Sequence, residues 1–285
     1  MAEIISGKIV SEKIRSEIRE EVVKYIDKTG RTPGLAVILV GENPASVVYV
    51  RNKHKTCMEV GINSFEYNLP ADASEAELIS LIESLNSDEK VDGILVQLPL
   101  PSHIDEEKVI NSISADKDVD AFSPSNVGRI LIGEYSFLPC TPSGVMELID
   151  YYHIDLEGKN CVVIGRSNIV GKPMALLLLE RNATVTVCHS RTRNLSEYTT
   201  KADLVVVAVG REGFLKADMI KPGAVVIDVG INRNKEGRLC GDVDFDSVEP
   251  IASYITPVPG GVGPMTITML MKNTVSAAKM HSYQK

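Results

Sequence analysis

The stretch that decides the fold is Val162-Val-Ile-Gly165-Arg-Ser-Asn-Ile-Val-Gly171-Lys-Pro173, an apolar run followed by a turn that two glycines bracket. It predicts a strand that leads through a tight turn into a helix. Because the first N–H groups of a helix lack partners, such a turn directs them and the positive end of the helix dipole at an anion. Ser167 stands where the usual G-x-G-x-x-G motif has its second glycine. The stretch indicates a nucleotide phosphate site, and the alternative is an ordinary strand-to-helix turn without a ligand.

Apolar runs around this stretch have the spacing of a Rossmann-like unit. The predicted strands are Cys161 to Ile164, Thr184 to Cys188, Leu204 to Val209 and Val225 to Val229. Strands that alternate with helices indicate a parallel sheet, whose ligands bind at the carboxyl ends of the strands. Thr141-Pro142 predicts an N-cap and a first-turn proline for a helix to about Tyr152 that links two domains.

The first half of the chain repeats the alternation of strands and helices. Apolar residues recur every four positions in a predicted first helix, at Ile14, Ile18, Val22 and Ile26. Predicted strands follow at 35–40, 64–69 and 93–98, with a helix at 46–60 and another that the capping box Ser74-x-x-Glu77 opens.

The prediction is a two-domain α/β fold. An N-terminal parallel-sheet lobe spans residues 1–120, and a C-terminal helix, 266–285, packs back on it. A Rossmann-like domain, residues 121–265, binds the nucleotide.

Composition and charge narrow the class of function. The 285 residues are 44% hydrophobic and 24% charged, which is typical of a globular protein. A net charge of −8 without clustered Lys and Arg argues against a nucleic-acid binder. No secretion signal and no run of membrane-spanning length is evident, so we expect a cytoplasmic protein that does not bind membranes.

Cysteine and histidine spacing predicts neither disulfides nor a metal site. The cysteines are odd in number, widely spread and without a C-x-x-C pair: Cys57, Cys140, Cys161, Cys188 and Cys240. The five histidines show no metal-ligand spacing. We expect reduced thiols and no metal.

A second constellation is Ser46-x-x-Tyr49-x-x-x-Lys53, whose spacing places all three side chains on one face of a helix. Tyr49 can stack on a flat ligand while Lys53 moves a proton, provided that burial lowers the pKa of the amine. The alternative is a solvated helix face. A Tyr-x-x-x-Lys pair also resembles short-chain dehydrogenases, but there the pair follows the glycine turn. Here it precedes the turn, which suggests two lobes that face each other across a cleft.

Six motifs in order decide between these interpretations. They are Tyr49-Val-Arg-Asn-Lys53-His-Lys, Asp92-Gly-Ile-Leu-Val-Gln97-Leu-Pro-Leu-Pro101, Lys117-Asp-Val-Asp120, Pro139-Cys-Thr-Pro142, the Gly165 to Pro173 turn and Pro259-Gly-Gly-Val-Gly-Pro-Met-Thr266. Together they closely resemble the FolD family, the bifunctional methylenetetrahydrofolate dehydrogenase/cyclohydrolases, over nearly the whole chain.

The resemblance implies two reactions of one-carbon metabolism. 5,10-Methylenetetrahydrofolate is oxidised to the methenyl cation with hydride passed to NADP, and the cation is hydrolysed to 10-formyltetrahydrofolate. It further implies that Tyr49 stacks along the folate, Lys53 assists water attack and ring opening, Gln97 positions Lys53, and Asp120 anchors the pterin. A carboxylate suits the pterin edge, which offers N–H donors.

The resemblance also implies that the lobe of residues 1–120, with the helix 266–285, is the folate-binding and catalytic domain. It further implies the remaining binding residues and a homodimer. Further folate contacts are Ser46, Leu98, Pro99, Gly260, Gly261 and Val262. Cofactor contacts are Thr141, Gly165, Arg166, Ser167, Val170, Gly171, Pro173, Ser190, Arg191 and Ile231.

The end of the second Rossmann strand predicts the choice of cofactor. NAD-selective sites usually end that strand with an acid that holds the ribose 2′-hydroxyl, and Thr184 to Thr192 contains none. Arg166, Ser190 and Arg191 instead offer donors to a 2′-phosphate, so NADP is favoured.

Two rival functions remain from the sequence. One is a non-enzymatic NADPH sensor, and the intact set of Tyr49, Lys53, Gln97 and Asp120 argues against it. The other is a short-chain-type oxidoreductase, in which Tyr49 is the proton donor.

Overall fold

A computed structural model describes residues 1–283 of the chain. Its strands are β1 (Glu3–Ile4), β2 (Gly34–Val40), β3 (Asn63–Leu69), β4 (Gly93–Val96), β5 (Asn160–Ile164), β6 (Thr184–Cys188), β7 (Leu204–Val207), β8 (Val225–Asp228), β9 (Asn232–Arg233), β10 (Leu239–Cys240) and β11 (Tyr254–Ile255). Its α-helices are α1 (Gly7–Thr29), α2 (Pro44–Val60), α3 (Glu75–Ser87), α4 (Glu106–Ser112), α5 (Pro124–Leu131), α6 (Cys140–Tyr151), α7 (Gly171–Glu180), α8 (Ser196–Thr199), α9 (Phe245–Val248) and α10 (Val262–Tyr283).

The chain forms two compact units. The three-stranded unit comprises residues 13–140 and α10 from Ile267, and the six-stranded unit comprises residues 1–12 and 141–266. This division differs from the expected boundary at residue 120, because residues 121–140 are hydrogen-bonded to the preceding loop. Asn126 Nδ2, for example, donates to the Ala115 carbonyl at 2.9 Å. Residues 1–12 join the six-stranded unit because β1 pairs with β11.

The three-stranded unit has a parallel sheet in the order β3-β2-β4. Every residue of the central strand β2 is buried, as its continuous apolar run predicts. The predicted capping box is confirmed, since Ser74 Oγ accepts the N–H of Glu77 at the start of α3. The last helix packs on this unit as predicted: Tyr25 Oη donates to the Ala278 carbonyl, and Met271 is fully buried.

The six-stranded unit has a parallel sheet in the order β1-β11-β8-β7-β5-β6. The four predicted Rossmann strands are present, although β7 and β8 end one or two residues early, at Val207 and Asp228. The predicted linking helix begins at Cys140, so Thr141 lies in its first turn and not at the predicted N-cap. The carboxyl ends of β5 to β8 form one edge of the sheet, which is where the cofactor residues were predicted.

Two further features bear on the class of protein. Across residues 1–283, no helix combines the length and apolar character needed to cross a membrane. The same residues bring no three His, Cys, Asp or Glu side chains together in a way that could hold a metal ion.

Candidate active site

The side chains of Ser46, Tyr49 and Lys53 share one face of α2, as predicted. Ser46 and Lys53 are only 4% and 7% exposed, and Tyr49 is half-buried, so this face is not a solvated surface. Lys53 Nζ donates to Gln97 Oε1 at 2.9 Å. A buried ammonium with a neutral amide as its partner lacks the full compensation that a carboxylate would give.

Two hydrogen bonds to backbone carbonyls fix Gln97, one from its backbone and one from its side chain. Its backbone N–H continues the sheet and donates to the Ile38 carbonyl at 2.9 Å, directly after β4. Its side-chain Nε2 donates to the Leu98 carbonyl at 2.7 Å, which leaves Oε1 directed at Lys53. The strand end therefore orients the amide, and the amide orients the amine.

The charges around Lys53 act on it in opposite directions. Burial lowers the pKa of the Lys53 amine, and the carboxylate of Asp120 opposes that shift. Burial raises the pKa of Asp120, while Lys53 and a hydrogen bond from the Cys140 thiol lower it. Burial also raises the pKa of Tyr49, which keeps the phenol protonated. The neutral form of Lys53 is therefore more accessible than that of a solvated lysine, as proton transfer near neutral pH requires.

The loop that carries Asp120 is held by its other charged residues. Lys117 Nζ donates to the carbonyls of Leu85 and Asp88 at 3.0 and 2.8 Å. Asp118 Oδ2 accepts the N–H of Ser123 at 2.8 Å and Asn126 Nδ2 at 2.9 Å. Of the two acids in the motif, Asp118 thus binds the backbone and Asn126 that follow it, while Asp120 interacts with Lys53 and Cys140.

Asn273 is a residue of this site that the sequence analysis did not identify. Its Nδ2 lies on α10 and donates to the carbonyls of Val119 and Leu138 at 2.8 and 2.9 Å. These two bonds fasten the backbone next to Asp120 to the segment that leads to Cys140. Because 154 residues separate Asn273 from Val119, no local sequence pattern predicts the contact.

The other predicted folate residues follow β4 or lie at or just before the start of α10, where Val262 is the first residue and is buried. Leu98 is half-buried and Pro99 exposed. Gly260 has a φ of 106°, which favours glycine, and its carbonyl accepts the N–H of Lys8. A Cβ added to Gly261 would lie 2.6 Å from the Pro257 carbonyl oxygen, so this turn admits no larger residue. These glycines belong to the six-stranded unit.

The glycine turn after β5 is closely packed at both of its glycines. Gly165 has a φ of 137°, and a Cβ on it would lie 2.4 Å from the Ala208 carbonyl oxygen. A Cβ on Gly171 would lie 2.4 Å from the Gly165 carbonyl oxygen. Ser167 Oγ accepts the N–H groups of Val170 and Gly171 at 3.2 and 3.3 Å. The hydroxyl thus shapes the turn at the position where the usual motif has glycine.

Most of the predicted cofactor side chains follow β5, β6 or β8, and Thr141 lies in α6. Arg166, Ser190 and Arg191 are exposed, the last two directly after β6. Ile231 follows β8 and is 48% exposed. Thr141 Oγ1 lies 3.0 Å from Thr266 Oγ1, Val170 is half-buried, and Pro173 is buried in the first turn of α7. The close-packed glycines and the donors after β6 fit a dinucleotide that carries a 2′-phosphate.

Comparison with known families identifies the chain. Residues 5–120 match the family model described as the tetrahydrofolate dehydrogenase/cyclohydrolase catalytic domain, and residues 139–282 match that family's NAD(P)-binding domain. The chain belongs to the tetrahydrofolate dehydrogenase/cyclohydrolase family. It is 61% identical over 284 residues to the bifunctional protein FolD of Acetivibrio thermocellus, a match that covers 100% of this chain and 99% of that protein.

Solved structures of the family are closely similar. The bifunctional enzyme FolD of Campylobacter jejuni is 54% identical, with a TM-score of 0.97 and coverage of 99% of this chain and 100% of that one. The Trypanosoma brucei FolD complexed with NADP cofactor and inhibitor is 41% identical, with a TM-score of 0.95 and coverage of 99% and 98%.

The family assignment confirms the predicted fold, reaction and cofactor. The chain is an NADP-dependent methylenetetrahydrofolate dehydrogenase and methenyltetrahydrofolate cyclohydrolase that acts on a folate substrate. The sensor and the short-chain-type oxidoreductase are not favoured.

Proposed function

We propose that Lys53, held by Gln97, moves the protons of the hydrolytic step, while Tyr49 and Asp120 hold the folate. One observation carries the proposal: the buried amine of Lys53 donates to Gln97 at 2.9 Å and has a lowered pKa. Water attack on the methenyl carbon releases a proton, and opening of the ring consumes one at nitrogen. An amine with an accessible neutral form can take the first proton and return the second.

Tyr49 and Asp120 serve binding in this proposal. The half-buried ring of Tyr49 stacks along the folate, and its raised pKa keeps the phenol a hydrogen-bond donor. The carboxylate of Asp120 accepts N–H groups of the pterin edge. Six further residues complete the folate contacts: Ser46, Leu98, Pro99, Gly260, Gly261 and Val262.

The six-stranded unit holds NADP at the edge where β5 to β8 end. When bound, the nicotinamide supplies the hydride acceptor, and the oxidation itself needs no protein acid or base. The backbone N–H groups after Gly165 bind the pyrophosphate, and Arg166, Ser190 and Arg191 bind the 2′-phosphate. The other contacts that we assign to the cofactor are Thr141, Ser167, Val170, Gly171, Pro173 and Ile231.

The cellular setting extends the proposal. We infer a cytoplasmic homodimer that supplies one-carbon units for purine biosynthesis and that binds neither nucleic acid nor membrane. The net charge of −8 without a basic cluster supports the part that concerns nucleic acid. Size-exclusion chromatography with light scattering tests the dimer.

The decisive experiment separates the two activities. Purified protein with methylenetetrahydrofolate and NADP should give the absorbance of the methenyl product. In Lys53→Met, which keeps most of the stem but removes the proton site, hydrolysis of supplied methenyltetrahydrofolate should fall roughly a hundredfold or more while the oxidation survives in part.

Matched variants complete the test. Lys55→Met removes an exposed lysine two positions along α2 and should leave both activities near wild type. Gln97→Ala should depress hydrolysis without changing NADP affinity, because the amine loses its only partner among the hydrogen bonds described above. Hydrolysis by folded Lys53→Met at the wild-type rate would move the proton role to another residue.

A further inference from the structure

Two buried carboxylates lie near the carboxyl ends of the Rossmann strands, and the reaction described above uses neither of them. Asp228 is the last residue of β8, and Asp242 follows β10. Their side chains belong to residues that are 3% and 0% exposed. Buried acids are costly unless hydrogen bonds compensate them, so their partners indicate what they do.

Asp242 binds a row of backbone donors directly after β7. Its Oδ2 accepts the N–H groups of Val209 and Gly210 at 2.6 and 2.9 Å, and its Oδ1 accepts that of Arg211 at 2.8 Å. The same Oδ1 accepts Asn232 Nδ2 at 2.8 Å. Three successive N–H groups around one carboxylate form an anion-binding nest whose anion is a side chain of the protein itself.

Asp228 holds the segment that carries Asp242. Its Oδ1 accepts the N–H groups of Gly230 and Asp242 at 2.9 and 3.0 Å, and its Oδ2 accepts that of Val243 at 2.9 Å. Burial raises the pKa of Asp228 to about 6, against the opposing effect of these three bonds. The two acids therefore form a chain of support, with Asp228 fixing the backbone of Asp242.

Glycines make room for this arrangement. A Cβ on Gly230 would lie 2.3 Å from Asp242 Cγ, and a Cβ on Gly241 would lie 1.9 Å from Asp228 Oδ2. Neither glycine has a φ in the left-handed region, so the backbone conformation does not require glycine at either position. The lack of space beside the carboxylates does. The packing fixes where each carboxylate can lie.

The segments so held line the sheet edge at which the cofactor is proposed to bind. Ile231 lies between Gly230, whose N–H binds Asp228, and Asn232, whose amide binds Asp242. In the sheet order β8-β7-β5-β6, the phosphate turn follows β5 and the donors to the 2′-phosphate follow β6. The ends of β7 and β8 are therefore on the other side of the phosphates, where the nicotinamide half of the cofactor must extend.

We propose that Asp242 is a positioning residue for the nicotinamide half of NADP. It acts through the backbone of residues 209–211 and through Asn232, which together fix the side of the cofactor site that includes Ile231. The inference rests on the cofactor site under "Proposed function" and deepens it. Asp242 touches no reacting atom. Its role is to hold irregular backbone in one conformation at an edge where a flat ring must be presented in a fixed orientation.

The test compares the whole cofactor with its adenosine half. Asp242→Asn replaces an acceptor oxygen with a donor that faces backbone N–H groups, so the nest opens while the side-chain volume stays the same. By calorimetric titration, the Kd for NADP should rise about tenfold, as expected for a loosened supporting shell, and the Kd for adenosine 2′,5′-bisphosphate should stay near wild type. Asp246→Asn, an exposed acid in α9, is the matched control and should change neither.

Each other outcome has a defined meaning. If Asp242→Asn weakens both ligands by the same factor, or weakens neither, Asp242 does not position the nicotinamide half. If that variant fails to fold by circular dichroism, Asn232→Ala, which removes one donor only, should raise the KM for NADP but not that for the folate, and an unchanged KM for NADP would overturn the inference. If the wild type binds neither ligand, the proposed cofactor site itself is wrong.

Discussion

The Lys53 site and the glycine turn after β5 differ in whether side chains or the backbone determine their properties. At the first, the proposed chemistry depends on side chains, and burial shifts the pKa values of Lys53, Tyr49 and Asp120. At the second, the proposed binding depends on the backbone. Arg166 and Ser167 are exposed, and the constraint is the space around Gly165 and Gly171. The difference teaches that the first site is sensitive to lost functional groups, and the second to added atoms.

Gly171→Ala should have the largest effect on the backbone side of this comparison. The added Cβ would lie 2.4 Å from the Gly165 carbonyl oxygen, so the turn must open. We expect kcat/KM for NADP to fall about a hundredfold, which is typical of a displacement near 1 Å at a positioned group. Hydrolysis of supplied methenyltetrahydrofolate should persist, as measured by the loss of methenyl absorbance.

The control for added atoms is Gly128→Ala, because a Cβ at Gly128 meets nothing within 4 Å. It should leave both activities unchanged. Equal loss of oxidation and hydrolysis in Gly171→Ala would contradict the separation of the two regions.

Asp120→Asn tests the electrostatic side through the pH profile. The Asp120 carboxylate raises the pKa of Lys53 because an anion stabilises the ammonium, so its removal should lower that pKa further. The rate of hydrolysis should rise with pH as the amine becomes neutral, and the midpoint of that rise should move to lower pH. The KM for the folate should rise roughly tenfold, since a charge-assisted hydrogen bond is lost.

Asp72→Asn, at an exposed position of the same unit, should move neither the pH midpoint nor the KM. A midpoint in Asp120→Asn that stays in place or moves to higher pH would show that Lys53 is not the group observed.

Arg191→Ala should have the smallest effect, because an exposed guanidinium binds its partner in competition with water. The ratio of kcat/KM for NADP to that for NAD should fall by about tenfold or less, while NAD use stays constant. Arg193→Ala, an exposed arginine two residues on, should keep the ratio. A wild-type ratio at or below one would already contradict the assignment of Arg166 and Arg191 to the 2′-phosphate.

Local periodicity explains why much of both regions could be predicted. The helical repeat alone places Ser46, Tyr49 and Lys53 on one face, and the glycine spacing alone indicates a turn before α7. Gln97 and Asp120 came from the family resemblance, and the structure brings the Gln97 oxygen to 2.9 Å from Lys53. The start of α6 was misplaced because the helix takes in Cys140 and Thr141.

Contacts between distant segments explain what the sequence did not reveal. Asn273 reaches Val119 from α10, and Asp242 gathers N–H groups from the loop after β7. An acid or amide in isolation looks like any solvated residue, and only the packed fold shows that it is buried. The unit boundary differs from expectation for the same reason, since side chains such as Asn126 bind residues 121–140 to the preceding loop.

The discontinuous make-up of the three-stranded unit bears on how the protein emerges during translation. Residues 13–140 are synthesised directly after the first twelve residues, but the unit also needs α10 from Ile267. The sulfur of Met271 in that helix lies 3.4 Å from Cys57 Sγ. At ribosomal rates the intervening segment takes on the order of ten seconds to make. Throughout that interval the nascent chain exposes the apolar surface that α10 later covers. The three-stranded unit therefore completes its core only after almost all of the chain has been synthesised.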